Sequence, residues 1–291
     1  MKVAVASGKG GTGKTTVAVS LALSLAESSP AAAPIFVDCD VEEPNAALYL
    51  RPTLTEQQEV GQPVPVVDTA LCTACGRCAE VCQYHAITVI GTQVLVFPEL
   101  CHGCGSCTRR CPTSAIGEEP DVLGTLARGQ AGDLVFAQGT LNVGEAMAVP
   151  VIRQLKRWAI PTNVDERAVI LDAPPGSSCP VVETLRGADV VLLVTEPTPF
   201  GLHDLRLAAQ VARDELGLPV AVVVNRDGVG DAGVDVYCAA EEIPILLRIP
   251  LERAIAEGIA NGDSLVAIRP AYRALFRDLY TRLEALARGA P

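Results

Sequence analysis

The 291-residue sequence predicts an α/β protein: a doubly wound, mostly parallel sheet with a small inserted α+β domain. Three observations predict it. Short aliphatic runs of strand length alternate with longer helical segments. A glycine-rich loop, Gly8-Lys9-Gly10-Gly11-Thr12-Gly13-Lys14-Thr15, joins the first run to the first helix, so the sheet is expected to be of the P-loop NTPase type. Two cysteine runs of matching spacing then interrupt the alternation, so the insert is expected to be of bacterial ferredoxin type. Hydrophobic residues make up 49% of the chain and aromatics only 4%, so aliphatic side chains must fill the core, as they do in a buried parallel sheet.

Residues 2–6 read as the first strand and 15–25 as the helix after the loop. Residues 28–34, rich in Ser, Ala and Pro, read as a connector, and 35–38 as a second buried strand. The alternation breaks near Arg51. Residues 51–65 are polar and contain proline, and read as a short connector into the cysteine region, which extends to about Ile116. Within it, short β segments at 64–67 and 94–97 precede the two cysteine runs. Further strands are expected at 134–137, 168–171, 190–195, 220–224 and 245–249. Helices are expected near 147–158, 179–186, 201–215 and 270–287. Leu275, Leu279, Leu283 and Leu286 in the last have core periodicity, and its mixed charges suit packing on the sheet rather than on a membrane. The expected domains are an ATPase domain of residues 1–55 and 121–291, and an insert of residues 56–120.

A net charge of −11 opposes contact with nucleic acid or an anionic membrane surface. Residues 2–6 run straight into the loop, leaving no room for a leader peptide, and no apolar run approaches the roughly 18–20 residues of a membrane span. Eight of the eleven cysteines fall in metal-type spacings, which fits a reducing cytoplasm better than a disulfide framework.

The segment from Gly8 to Thr15 follows a strand and opens a helix, the context in which such a loop cradles phosphates. Gly8, Gly10, Gly11, Thr12 and Gly13 let backbone N–H groups approach the anion, and the helix N-terminus favours its charge. Lys14 is placed to reach the β and γ phosphates and Thr15 to bind Mg²⁺, with Thr16 completing the ATP-binding set. An ordinary glycine turn is the competing reading. Asp38, Asp40 and Asp172 end strands around the loop, where phosphoryl transfer needs carboxylates, although each alone could cap a helix.

With its second lysine, the loop resembles the deviant Walker A motif of the MinD, ParA and Mrp superfamily, which includes the nitrogenase iron protein. The resemblance covers nearly the whole chain. It implies that Lys9 reaches the nucleotide of an opposing subunit, and hence a homodimer that closes on ATP; a solvated loop lysine is the alternative. Val37-Asp38-Cys39-Asp40 resembles switch I, implying that Asp40 orients the attacking water and that Asp38 lies near Mg²⁺, with Asn45 in the same switch. Asp172-Ala173-Pro174-Pro175-Gly176 resembles switch II, implying a water-mediated link from Asp172 to Mg²⁺. Asn225 falls where the family reads adenine.

The cysteine runs are Cys72-x2-Cys75-x2-Cys78-x3-Cys82 and Cys101-x2-Cys104-x2-Cys107-x3-Cys111, the spacing of two [4Fe–4S] clusters, with zinc as the competing metal. By the exchange usual to such paired runs, Cys72, Cys75, Cys78 and Cys111 would hold one cluster, and Cys101, Cys104, Cys107 and Cys82 the other. The first run departs from the pattern in having Gln83, where the second has Pro112. Cys39 and Cys238 read as packing residues. Cys179 has the spacing from Asp172 of an inter-subunit cluster ligand in the nitrogenase iron protein, but residues 139–147 lack the second cysteine such a cluster needs. His85 and His102 are expected to be solvated or hydrogen-bonded, and His203 to lie near a helix start. Arg77, Arg109 and Arg110 read equally as a docking patch for an acidic partner or as solvated surface.

The expected function is therefore an ATPase coupled to a redox module, acting on an unidentified redox or metallocluster partner. The alternatives are an iron–sulfur carrier like the Mrp-type ATPases, and a spatial or scaffold ATPase of the MinD kind with structural clusters.

Overall fold

The computed structural model describes residues 1–28, 33–162 and 167–289. Most of the 28–34 connector lies outside the described residues. A nine-stranded sheet organises the chain. Its strands are β1 (Lys2–Ala6), β2 (Ile35–Asp38), β3 (Thr53–Val67), β6 (Ile116–Ala131), β7 (Leu134–Leu141), β8 (Val169–Asp172), β9 (Val190–Thr195), β10 (Val220–Asp227) and β11 (Ile245–Pro250). Between β3 and β6, β4 (Ile87–Ile90) and β5 (Gln93–Val96) form a separate hairpin. The order in the large sheet is β11-β10-β9-β1-β8-β2-β7-β6-β3, parallel throughout except that β6 is antiparallel to both β7 and β3.

Alternating side chains send the sheet's aliphatic residues into two cores. Ala4, Val37 and Leu171 face one side, under helices α5 (Ala148–Ala159), α6 (Cys179–Leu185), α7 (Pro199–Ala209) and α8 (Gly233–Ala240). Val3, Val5, Phe36 and Ile170 face the other. That side is covered by α1 (Lys14–Ser28), α2 (Ala46–Leu50), α9 (Arg253–Ala260), α10 (Leu265–Ile268) and α11 (Tyr272–Arg288). In α11 the buried residues are Phe276, Leu279 and Leu283, whereas Leu275 is exposed. Leu279, Leu283 and Leu286 thus lie on the core face as their spacing predicts, and Phe276 takes the place expected of Leu275. No helix among the described residues is long and apolar enough to cross a membrane.

The 51–65 connector is a misreading: Thr53–Val67 is one continuous fifteen-residue strand. Thr53–Glu59 has both faces exposed at the sheet edge, so no apolar alternation betrays it. Pro63 and Pro65 fall on alternate positions of this edge strand, the place in a sheet where a missing N–H is tolerated.

Beyond the pair Gly124↔Leu141, β6 leaves β7, while its pairing with β3 continues to Val67↔Ile116. This two-stranded ribbon therefore rises past the carboxyl ends of the parallel strands, carrying residues 68–115 at its tip. Those residues contain β4, β5 and the short helices α3 (Arg77–Val81) and α4 (Ser106–Arg110). The tip repeats itself at an offset of 29 residues. Left-handed backbone at Ala74, Gly76 and His85 recurs at Gly103, Gly105 and Ser114. β4 begins at Ile87 as β6 begins at Ile116.

Candidate functional site

β1 ends at Ala6, and the chain turns through Ser7–Gly13 into α1, which begins at Lys14. Gly11 and Gly13 have φ of 76° and 89°, the left-handed region open to glycine. Gly10 and Gly11 face open space, whereas a Cβ on Gly8 would meet the Asp204 carbonyl oxygen at 2.2 Å, fixing the loop against α7. The loop, with Thr15 and Thr16, lines a cleft of about 420 Å³. Asp40, Asn45 and Asn225 line it too.

The Lys14 ammonium donates to Asp172 Oδ1 at 2.6 Å and lies 3.8 Å from Asp40 Oδ2. Burial alone would lower the Lys14 pKa, but Asp172, Asp40 and Asp38 outweigh it and raise it. Asp38 accepts from the Asp40 and Ala46 N–H groups at 3.2 and 3.0 Å, tying the strand end to α2. Burial, reinforced by the charge of Asp172, pushes Asp38 up to about 8. Burial likewise pushes Asp40 up to about 6. Asp172 Oδ2 and Thr12 Oγ1 are buried with no hydrogen-bond partner in the protein. An unsatisfied buried carboxylate oxygen beside a lysine and a threonine is the donor set a hydrated Mg²⁺ and a phosphate would complete.

Asn225 donates to the Thr12 carbonyl at 2.7 Å, joining the end of β10 to the loop. Its neighbour Arg226, in left-handed backbone, donates to the Gly11 carbonyl at 3.3 Å and to Glu196 Oε1 at 2.5 Å. Lys9 lies 3.3 Å from the other oxygen of Glu196. Glu196 and Arg226 escaped the sequence reading because no local motif marks them. Tyr49, Leu251, Ile255 and Ile259 form the remaining apolar wall of the cleft, and the aliphatic spacing in α9 was the available signal.

The eight cysteines of the tip fall into two groups. Cys72, Cys75, Cys78 and Cys111 line one small cavity, and Cys82, Cys101, Cys104 and Cys107 line a second. None is in a disulfide. Backbone N–H groups of Ala74 and Gly103 point at Cys72 and Cys101 Sγ at 3.4 Å, and those of Ala86 and Ala115 point at Cys82 and Cys111 Sγ at 3.3 and 3.2 Å. Among the described residues, no group of three or more His, Cys, Asp or Glu side chains is arranged to hold a metal ion.

His102 stacks on Tyr84 with ring centroids 3.7 Å apart, while His85 and His203 are exposed. Arg77, Arg109 and Arg110 are exposed on α3 and α4. Cys39 and Cys238 are buried, and burial pushes their thiols up to about 12 and about 11. Cys179 is exposed at the start of α6.

Residues 3–266 match the family described as the CobQ/CobB/MinD/ParA nucleotide binding domain. Two uncharacterised proteins of Methanocaldococcus jannaschii are 30% and 29% identical to the chain. The first aligns with 99% of this chain and 96% of its own length, the second with 96% of each. Among solved structures, the septum site-determining protein MinD of Pyrococcus horikoshii, complexed with Mg-ADP, superposes with a TM-score of 0.58 at 18% identity. That match covers 98% of this chain and 96% of the other. The cell division ATPase MinD of Pyrococcus furiosus gives 0.58 at 21% identity, covering 98% of both chains. Cyanothece McdA in its ATP complex gives 0.52 at 18%, covering 97% and 96%.

Proposed function

As the chain belongs to the CobQ/CobB/MinD/ParA nucleotide-binding family, we propose that it is an ATP-hydrolysing iron–sulfur protein whose nucleotide-driven dimer closure acts on two [4Fe–4S] clusters. The observation that carries this reading is the sorting of eight free thiols into two cavities of four. Four thiolates per cubane is the ligand count such a cluster takes, and a cubane is broader than a single ion, so its ligands need not converge as ion ligands do. When bound, the clusters supply one-electron redox chemistry.

The chain's own residues divide the rest of the work. The N–H groups of the 8–13 loop and the start of α1 hold the phosphates, and Lys14 leaves Asp172 to meet them. Thr15, Asp38 and Asp172 would hold Mg²⁺, which would neutralise phosphate charge, and Asp40 would position the attacking water. Asn225 faces the base. Lys9 leaves Glu196 to reach a nucleotide on the second copy. The Mg-ADP bound to the Pyrococcus horikoshii protein supports the nucleotide part of this reading.

A second reading, a spatial or scaffold ATPase with clusters that only stabilise the tip, is the one the solved neighbours favour, since two of those compared above are cell-division MinD proteins. An iron–sulfur carrier acting on an apo-protein is a third. An anaerobic redox titration followed by EPR, with Mg-ADP and with Mg and a non-hydrolysable ATP analogue, separates them. A midpoint potential that shifts with nucleotide, or ATP-stimulated electron delivery to an acceptor, supports electron transfer. Nucleotide-independent potentials support the scaffold, and passage of iron to an apo-protein supports the carrier. A chain that takes up no iron refutes all three cluster-containing readings.

A further inference from the structure

The ribbon that carries the cysteine tip is gripped where it leaves the sheet. The register steps from Val60↔Gly124 to Gly61↔Val122, so Leu123 is an extra residue bulged out of β6. Leu123 is buried with Val60 among Val151, Ile152 and Leu155 of α5. The carbonyls that the bulge leaves over are taken from below. Asn142 donates its backbone N–H to Leu123 O at 2.8 Å and its side-chain amide to Val122 O at 3.0 Å. On the other strand, Gln154 of α5 donates to Gly61 O at 2.7 Å. Position 61 admits no side chain, because a Cβ there would meet the Asp121 carbonyl oxygen at 1.9 Å. The next residue, buried Gln62, donates to the Cys101 carbonyl at 2.6 Å and so joins the ribbon to the second cysteine loop.

The far side of α5 holds α6. Arg153 makes a two-pronged contact with Glu183 at 3.1 and 3.0 Å. Lys156 donates to the carbonyls of Glu183, Thr184 and Arg186 at 2.7–2.8 Å, closing the C-terminus of α6. α6 is the helix that follows Asp172 and the 173–178 turn, and that turn is itself pinned to the phosphate loop by Gly176 N–H donating to Ser7 O at 2.9 Å. Asp172, which holds the Lys14 ammonium, leads directly into this turn.

We propose that α5 is the coupling element between the nucleotide site and the cysteine tip, with Gln154 and Gln62 as positioning residues that carry the state of the 172–178 segment through the bulge at Gly61 to the Cys101–Cys107 loop. Residues 53–60, between α2 and the bulge, are held in the sheet ladder, so the path enters the ribbon from α5 at Gly61 rather than along β3. The inference rests on the cluster reading only for its purpose, since every contact in the path belongs to the protein itself.

Hydrogen exchange of the full chain, anaerobically reconstituted with iron and sulfide, tests it. Mg with a non-hydrolysable ATP analogue is the probe, Mg-ADP and no nucleotide are the references, and iron per chain is assayed in each preparation. The wild type is expected to show a several-fold change in exchange in residues 179–186, 148–159 and 101–107. Gln154→Leu should keep the change in 179–186 and lose most of it in 101–107. Gln154→Lys, which keeps a donor, should restore it, and Gln62→Leu should lose it at the last step alone. An unchanged 101–107 response in Gln154→Leu, or a wild type that responds in 179–186 and not in 101–107, overturns the coupling. Propagation in a chain that takes up no iron supports the coupling and removes the cluster reading. Iron uptake without propagation does the reverse.

Discussion

Replacing Lys14 by methionine removes an ammonium from a buried group of three carboxylates while keeping most of the stem's volume. Lys14 Nζ lies 2.6 Å from Asp172 and 3.8 Å from Asp40, with the buried Asp38 adding its charge to the same group. Breaking a buried pair by deleting one partner costs about 3–5 kcal/mol, since the other charge stays behind unpaired. For a chain of this size that corresponds to a fall in Tm of roughly 5–8 °C. The cost must depend on pH. Burial raises Asp38 to about 8 and Asp40 to about 6, from the ordinary 3.8. Between those values the folded state holds protons that the unfolded chain has released, so stability falls as pH rises from about 4 to about 8. Without Lys14 the carboxylates hold their protons to still higher pH, and the fall steepens. Urea unfolding of nucleotide-free protein should therefore show a larger deficit at about pH 8.5 than at about pH 5. A variant as stable as wild type at the higher pH, or a deficit that ignores pH, would refute the reasoning.

Two further outcomes follow from the same geometry. Glu196→Gln weakens the ion pairs that hold Lys9 and Arg226 on their own subunit, so dimerisation with a non-hydrolysable ATP analogue should tighten several-fold; analytical ultracentrifugation that finds equal or weaker association sinks the idea that Lys9 must be released. In the cysteine tip, Cys111→Ser and Cys72→Ser should each remove about four irons per chain and the pair together no more, whereas Cys111→Ser with Cys82→Ser should remove about eight. Loss of all iron from the Cys111–Cys72 pair would mean that the thiols group differently.

What the sequence determined by itself is what depends on contiguous residues. A phosphate loop needs glycines, a lysine and a helix start in one short stretch, and those lie between Gly8 and Thr15. Strands buried on both faces announce themselves as aliphatic runs, which is why β1, β2, β8, β9 and β10 were legible. The cysteine spacing and its 29-residue repeat are likewise local. The tertiary structure decided the rest. The first half of the ribbon strand β3 was hidden because Thr53–Glu59, exposed on both faces at the sheet edge, has no hydrophobic alternation and resembled a connector, whereas 64–67 was read as a β segment. Glu196 meets Lys9 and Arg226 only because β9 and β10 are neighbours in the sheet. Gln154 reaches Gly61 across 93 residues because α5 packs under the ribbon's bulge. Local chemistry wrote the phosphate loop and the cysteine runs; packing decided which distant residues meet them.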